Sequence, residues 1–96
     1  MAKAGEERVT VLNPNTGGSS TIRKDMYEPV RDAIVAALTE LDEVPFSDLN
    51  DHVEARTPAE LWKDNSLGWY TVSVKLDLEA RGVLVKEGKP QRLRLA

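Results

Sequence analysis

Residues 69–82, WYTVSVKLDLEARG, carry two contradictory signals, and whichever wins decides what the rest of the chain can build around them. Val72, Val74, Leu76 and Leu78 alternate with polar residues, the pattern of a half-buried strand. The second half, Leu-Asp-Leu-Glu-Ala-Arg, has good helix propensity, with Arg81 placed for a last turn and Gly82 for the stop beyond it. Wound as a helix at about 100° per residue, Trp69, Val72, Leu76 and Ala80 line one side. Tyr70, Val74 and Leu78 line a second side, well over a right angle away. Two narrow polar strips, Thr71-Lys75-Glu79 and Ser73-Asp77, lie between them. A helix with two apolar stripes needs cover on two sides. Periodicity favours a strand over Thr71 to Leu78, whereas length and punctuation favour a helix, and neither prevails on these grounds.

The surroundings read more simply. Arg8 to Leu12 is a short β-prone run ending at the turn signal Asn13-Pro14-Asn15, and Thr16 to Thr21 is small and polar, hence a loop. It lacks the lysine of a phosphate-binding loop. Asp25 to Leu41 is the clearest helix. Asp25 and Glu28 have capping-box spacing, Pro29 falls in the expected first turn, and Val30, Ala33, Ile34, Ala37, Leu38 and Leu41 form one stripe. A second helix is expected from Ser47, as N-cap, to about Arg56, with Leu49 and Val53 inward. Thr57-Pro58-Ala59-Glu60 predicts a further turn or two, with Thr as N-cap and Pro at the first position, carrying Leu61 and Trp62. Val83 to Lys86 and Gln91 to Leu95 read as strands joined by Glu87-Gly88-Lys89-Pro90.

This order of elements resembles a winged helix-turn-helix, whose third helix commonly ends L-E-x-x-G followed by two hydrophobic residues. Leu78, Glu79, Gly82, Val83 and Leu84 occupy those places. More narrowly, the chain is similar to a small bacterial family of unknown function. The shared features are N-P-N near the start, a Tyr before a helix, G-W, D-L-E-A-[KR]-G and K-P. Here they are Asn13-Pro14-Asn15, Tyr27, Gly68-Trp69, Asp77 to Gly82 and Lys89-Pro90. The resemblance implies an α+β winged helix in which WYTVSVKLDLEARG is the third helix. Three main helices and a short extra helical turn would carry a C-terminal β-hairpin wing, which Arg8 to Leu12 could join as another strand. Residues 1–7 are expected to be disordered and residues 8–96 to form a single domain.

Charge and composition narrow the functional classes. The chain has 96 residues and no cysteine, which removes disulfides and thiolate chemistry and fits a reducing bacterial cytoplasm. No segment reads as a signal peptide or a membrane span. The net charge of −3 conceals an asymmetry: from Lys75 onward six Lys or Arg face three Asp or Glu, while the remainder is strongly acidic. Such a tail can meet a polyanion or pair internally with the acidic body.

The winged-helix resemblance implies contact with double-stranded DNA. Thr71, Ser73 and Lys75 would face the major groove, Lys86, Lys89, Arg92 and Arg94 the phosphates, and Gln91 a base edge or the backbone. Asp77 and Glu79, on the same polar strips, oppose that approach. The alternative is a protein-interaction or dimerisation module. Trp62, on the short insert, is then the anchor for a protein partner or a homodimer, with Trp69 assigned to the core. An enzyme is the weakest reading. His52 is the single histidine, Asp48 four residues earlier completes no metal site, and no catalytic residue, metal or cofactor is assigned.

Overall fold

The structure, a computed structural model, describes residues 7–96, so the expectation of disorder over residues 1–7 lies almost wholly outside the described residues. Strand β1 (Arg8–Leu12) pairs antiparallel with β2 (Ser19–Arg23), with Val9 opposite Ile22 and Thr10 opposite Thr21. Asn13 organises the connection. Its carbonyl accepts from the Gly17 N–H at 2.8 Å and its side chain from the Asn15 N–H at 2.9 Å, while Gly17 takes a φ of 72°. The polar stretch read as loop through Thr21 therefore becomes strand from Ser19. With Ile22 as its single large apolar residue, SSTIR gives no alternation for a pattern to detect.

Strand β2 runs directly into helix α1 (Lys24–Leu41), which buries Met26, Tyr27, Val30, Ala33, Ile34, Ala37 and Leu38. The expected capping box does not form. The Lys24 N–H is satisfied by the Glu7 carbonyl as a rung of the hairpin, and the Asp25 carboxylate turns back to Arg23 at 3.0 Å. Pro29 accordingly lies in the second turn, and Leu41, at the end of the predicted stripe, is 44% exposed.

The three-residue strand β3 (Glu43–Pro45) and a 3₁₀ turn (Phe46–Asp48) lead into α2 (Leu49–Ala55), so Ser47 is not an N-cap. Leu49 and Val53 are buried, as their spacing predicts. Thr57 is not a cap either. Its hydroxyl donates to the Val53 carbonyl at 2.8 Å and accepts the Trp62 indole N–H at 2.9 Å, anchoring the 3₁₀ turn Ala59–Trp62 back onto α2.

Residues 67–80 form helix α3 (Leu67–Ala80), so punctuation outweighs alternation. Ser66 caps it, accepting the Trp69 N–H at 3.1 Å. Beyond Arg81, Gly82 adopts a φ of 73°, and the Gly82 and Val83 amides close back on Glu79 and Leu78. That is a Schellman ending, open to Gly at low steric cost. The hairpin of β4 (Leu84–Glu87) and β5 (Arg92–Leu95) follows as the wing.

The sheet order is β3-β5-β4, with Val44 opposite Leu93. The third strand of the wing sheet is thus β3, not the N-terminal β1. The other edge of β1 meets side chains of α3 instead: Asp77 accepts the Leu12 N–H, and Arg81 donates to the Thr10 carbonyl. The result is an α+β, winged-helix-like arrangement. Val30, Ile34 and Leu38 of α1, Leu49 and Val53 of α2, Val74 and Leu78 of α3, and Val44, Leu84 and Leu93 of the sheet share one core.

Candidate functional site

Helix α3 is the element through which a winged helix would be expected to act, and two of the three residues expected to face a groove, Thr71 and Lys75, are buried. Val74 and Leu78 point into the core, and the polar strips on either side turn inward with them. Asp77 has no solvent exposure. Its carboxylate accepts the Tyr27 hydroxyl at 2.5 Å, the Leu12 N–H at 2.9 Å and the Arg81 guanidinium at 2.9 Å. Burial, then the hydrogen bond to this carboxylate, pushes the Tyr27 phenol up to about 12. The Asp77 partnership likewise raises Arg81.

On the opposite flank Lys75 Nζ lies 2.8 Å from Glu79 and 4.6 Å from the Phe46 ring centroid. Lys86 of the wing approaches Glu79 at 3.5 Å. Lys75 is 4% exposed and Thr71 is fully buried with an unpartnered hydroxyl. Neither faces a groove, which corrects their assignment; each flank of α3 is covered, by the β1–β2 hairpin on one side and the wing on the other. Only Ser73 of the three retains partial exposure.

The uncovered side of α3 is the stripe Trp69, Val72, Leu76 and Ala80, with Trp69 52% and Val72 37% exposed. Trp69 stands edge-on to Tyr70, ring centroids 5.0 Å apart. Trp62, the expected anchor, is half-buried against the core, with its N–H already committed to Thr57. The tryptophan expected in the core is thus the exposed one, and the expected anchor is the one packed against the core. Beside Ser73 and Leu76 a cavity of about 200 Å³ opens towards the β1–β2 loop, its far wall built by Thr16, Ser19 and Ser20.

The wing's cations are exposed but largely engaged. Arg92 meets Glu43 at 2.7 Å, Arg94 meets Glu87, and Lys86 meets Glu79. Lys89 makes no ion pair among the described residues. Gln91 is partly buried, its side-chain oxygen unpartnered and its carbonyl accepting the Phe46 N–H at 2.9 Å. His52 contacts Arg56, 3.3 Å between ring nitrogen and guanidinium.

A model of a family of unknown function, DUF6958, matches residues 8–93. The chain belongs to this family. No curated protein and no solved structure matches it. The DUF6958 match runs from the start of β1 into β5, so the N-terminal hairpin, the helices and the wing are all parts of the family's domain. No helix among the described residues is long and apolar enough to cross a membrane.

Two features of this DUF6958 chain escape a reading by stripes: the outward turn of Trp69, Val72 and Leu76, and Asp77 as a buried hub. A local signal does exist. Lys75 with Glu79, and Asp77 with Arg81, are opposite charges four residues apart. Each polar strip thus brings its own counter-charge, which is the condition for burying it.

Proposed function

We propose that the domain is a protein-interaction module presenting the outer face of α3. The observation that carries this reading is the inversion of that helix. Its ionisable residues are turned inward and paired, while an indole and aliphatic side chains stand in solvent. Covering Trp69 and Val72 would contribute roughly 1–3 kcal/mol per side chain, and Trp is a frequent interface anchor. Between Leu67 and Ala80 the one cation, Lys75, is buried and paired, so this face lacks the exposed Lys or Arg on which phosphate affinity mainly rests.

The test is a photo-crosslinking residue placed at Val72 in cells, with the same residue at Asp51 as control. A discrete protein adduct formed only from position 72 is the expected result. No adduct, or equal labelling from both positions, would overturn the reading. The second reading is contact with duplex DNA through the wing, supported by the exposure of Lys86, Lys89, Arg92 and Arg94 on one hairpin. It requires a mobility shift at low salt that weakens with Lys89→Gln and Arg92→Gln and falls steeply as salt rises.

A further inference from the structure

We infer that the occupant of the outer α3 face is a second copy of the chain, packed about a twofold axis with Trp69 of each copy seated in the cavity beside Ser73 and Leu76 of the other. The inference rests on the interaction reading above and names its partner.

The knob and the hole lie on the same helix face in the right order. Trp69 projects at the N-terminal end of α3, and the cavity opens beside Ser73 and Leu76. Seven residues separate Trp69 from Leu76, two helical turns or about 10 Å. A twofold axis perpendicular to α3 sets two copies of the helix antiparallel and pairs each residue with its mirror position. With the axis between Val72 and Ser73, Trp69 of one copy falls opposite Leu76 of the other, and the reverse holds across the axis. Two identical contacts form at once. The cavity's volume of about 200 Å³ has room for one large side chain. Apolar Val11, Leu12 and Leu76 line it for the ring, and Asn13, Ser19 and Ser73 provide acceptors within the same wall for an indole N–H.

Charge selects the same partner. In a twofold interface every charge near the axis meets its own copy, so a charged face repels itself. This molecule carries a net charge of −3, yet between Leu67 and Ala80 the only ionisable side chains besides tyrosine are Lys75, Asp77 and Glu79. Their side chains are 5%, 0% and 7% exposed. The outer face therefore meets itself without like-charge repulsion, a condition the acidic surface of α1 and α2 does not meet.

Sedimentation velocity on the full chain tests the arrangement. The wild type should dimerise with rising concentration, and Trp69→Ala, which removes the knob, should weaken the dimer roughly tenfold or more. Ser73→Phe, which fills the hole, should do the same. An equimolar mixture of the two should regain a dimer, because the intact Trp69 of one variant meets the open cavity of the other. Should Ser73→Phe lose its helical circular dichroism, Ser20→Phe fills the same cavity from its exposed wall. A monomeric wild type, a dimer indifferent to both variants, or a mixture that stays monomeric would each overturn the twofold. If the Val72 crosslink then captures a different protein, the interaction reading survives its loss; if it captures none, both fall.

Discussion

The two flanks of α3 solve one problem, a polar strip driven into the interior, by different means. On the hairpin side a single carboxylate, Asp77, receives directional donors from three elements: a main-chain N–H of β1, the phenol of α1 and a guanidinium at the end of α3 itself. On the wing side Lys75 and Glu79 neutralise each other at 2.8 Å, with Lys86 at 3.5 Å, so the Glu79 carboxylate is met by ammonium groups on flexible stems. The first device fixes the N-terminal hairpin in one register against the helix. The second balances charge, and the wing itself is held by its pairing to β3 and by Leu84 and Leu93 in the core. Directional satisfaction should therefore carry more stability than charge pairing of similar burial.

Asp77→Ala is the severest test of that contrast. It strands the Tyr27 hydroxyl and the Leu12 N–H beneath the hairpin and leaves a cavity. A loss of about 3–5 kcal/mol is expected, read as a lowered midpoint in urea with the slope unchanged. A cost near that of an exposed substitution would show that the hub merely decorates the fold.

The wing flank should yield less. Lys75→Met leaves Glu79 with Lys86 alone and is expected to cost about 2 kcal/mol. Adding Glu79→Leu should recover most of that, since removing both charges also removes the need to neutralise either. A double variant as unstable as the sum of its parts would mean that the two side chains are not coupled, and mutual neutralisation would then not be what buries them.

This contrast also explains what the sequence could and could not disclose. The α1 stripe, the inward Leu49 and Val53, the Gly82 stop and the C-terminal hairpin were legible because local period and punctuation determine them. The orientation of α3 was not. Its two apolar stripes are nearly equivalent, and the choice between them depends on Tyr27 and on the Leu12 amide, 50 and 65 residues away along the chain. Burying Asp77 beside Val74 and Leu78 obliges Trp69, Val72 and Leu76 to face out. The exposure of Trp69, expected in the core, follows from the same choice. Thr57, which looked like a helix cap, is instead the acceptor that holds Trp62 down. Strand β2 was hidden for a different reason: its pairing comes from the turn at Asn13 rather than from any apolar alternation of its own.

The smallest effect sharpens the comparison from within the hub. Tyr27→Phe removes one of three donors to Asp77 and should cost about 1 kcal/mol at neutral pH. Its more specific signature is alkaline. The folded phenol is raised from 10.0 to about 12, so below pH 10 both folded and unfolded chains hold it neutral and its contribution is complete. Between pH 10 and about 12 the unfolded chain ionises first, which draws the equilibrium away from the fold and erodes that contribution. Denaturation of the wild type followed across this window should show stability falling more steeply than in Tyr27→Phe. Whatever the two proteins share cancels in the difference, so what remains reports the Tyr27–Asp77 contact alone. Equal slopes would mean that the phenol is not held by a buried carboxylate, and the hairpin flank would then have to be anchored by the Leu12 and Arg81 contacts without it.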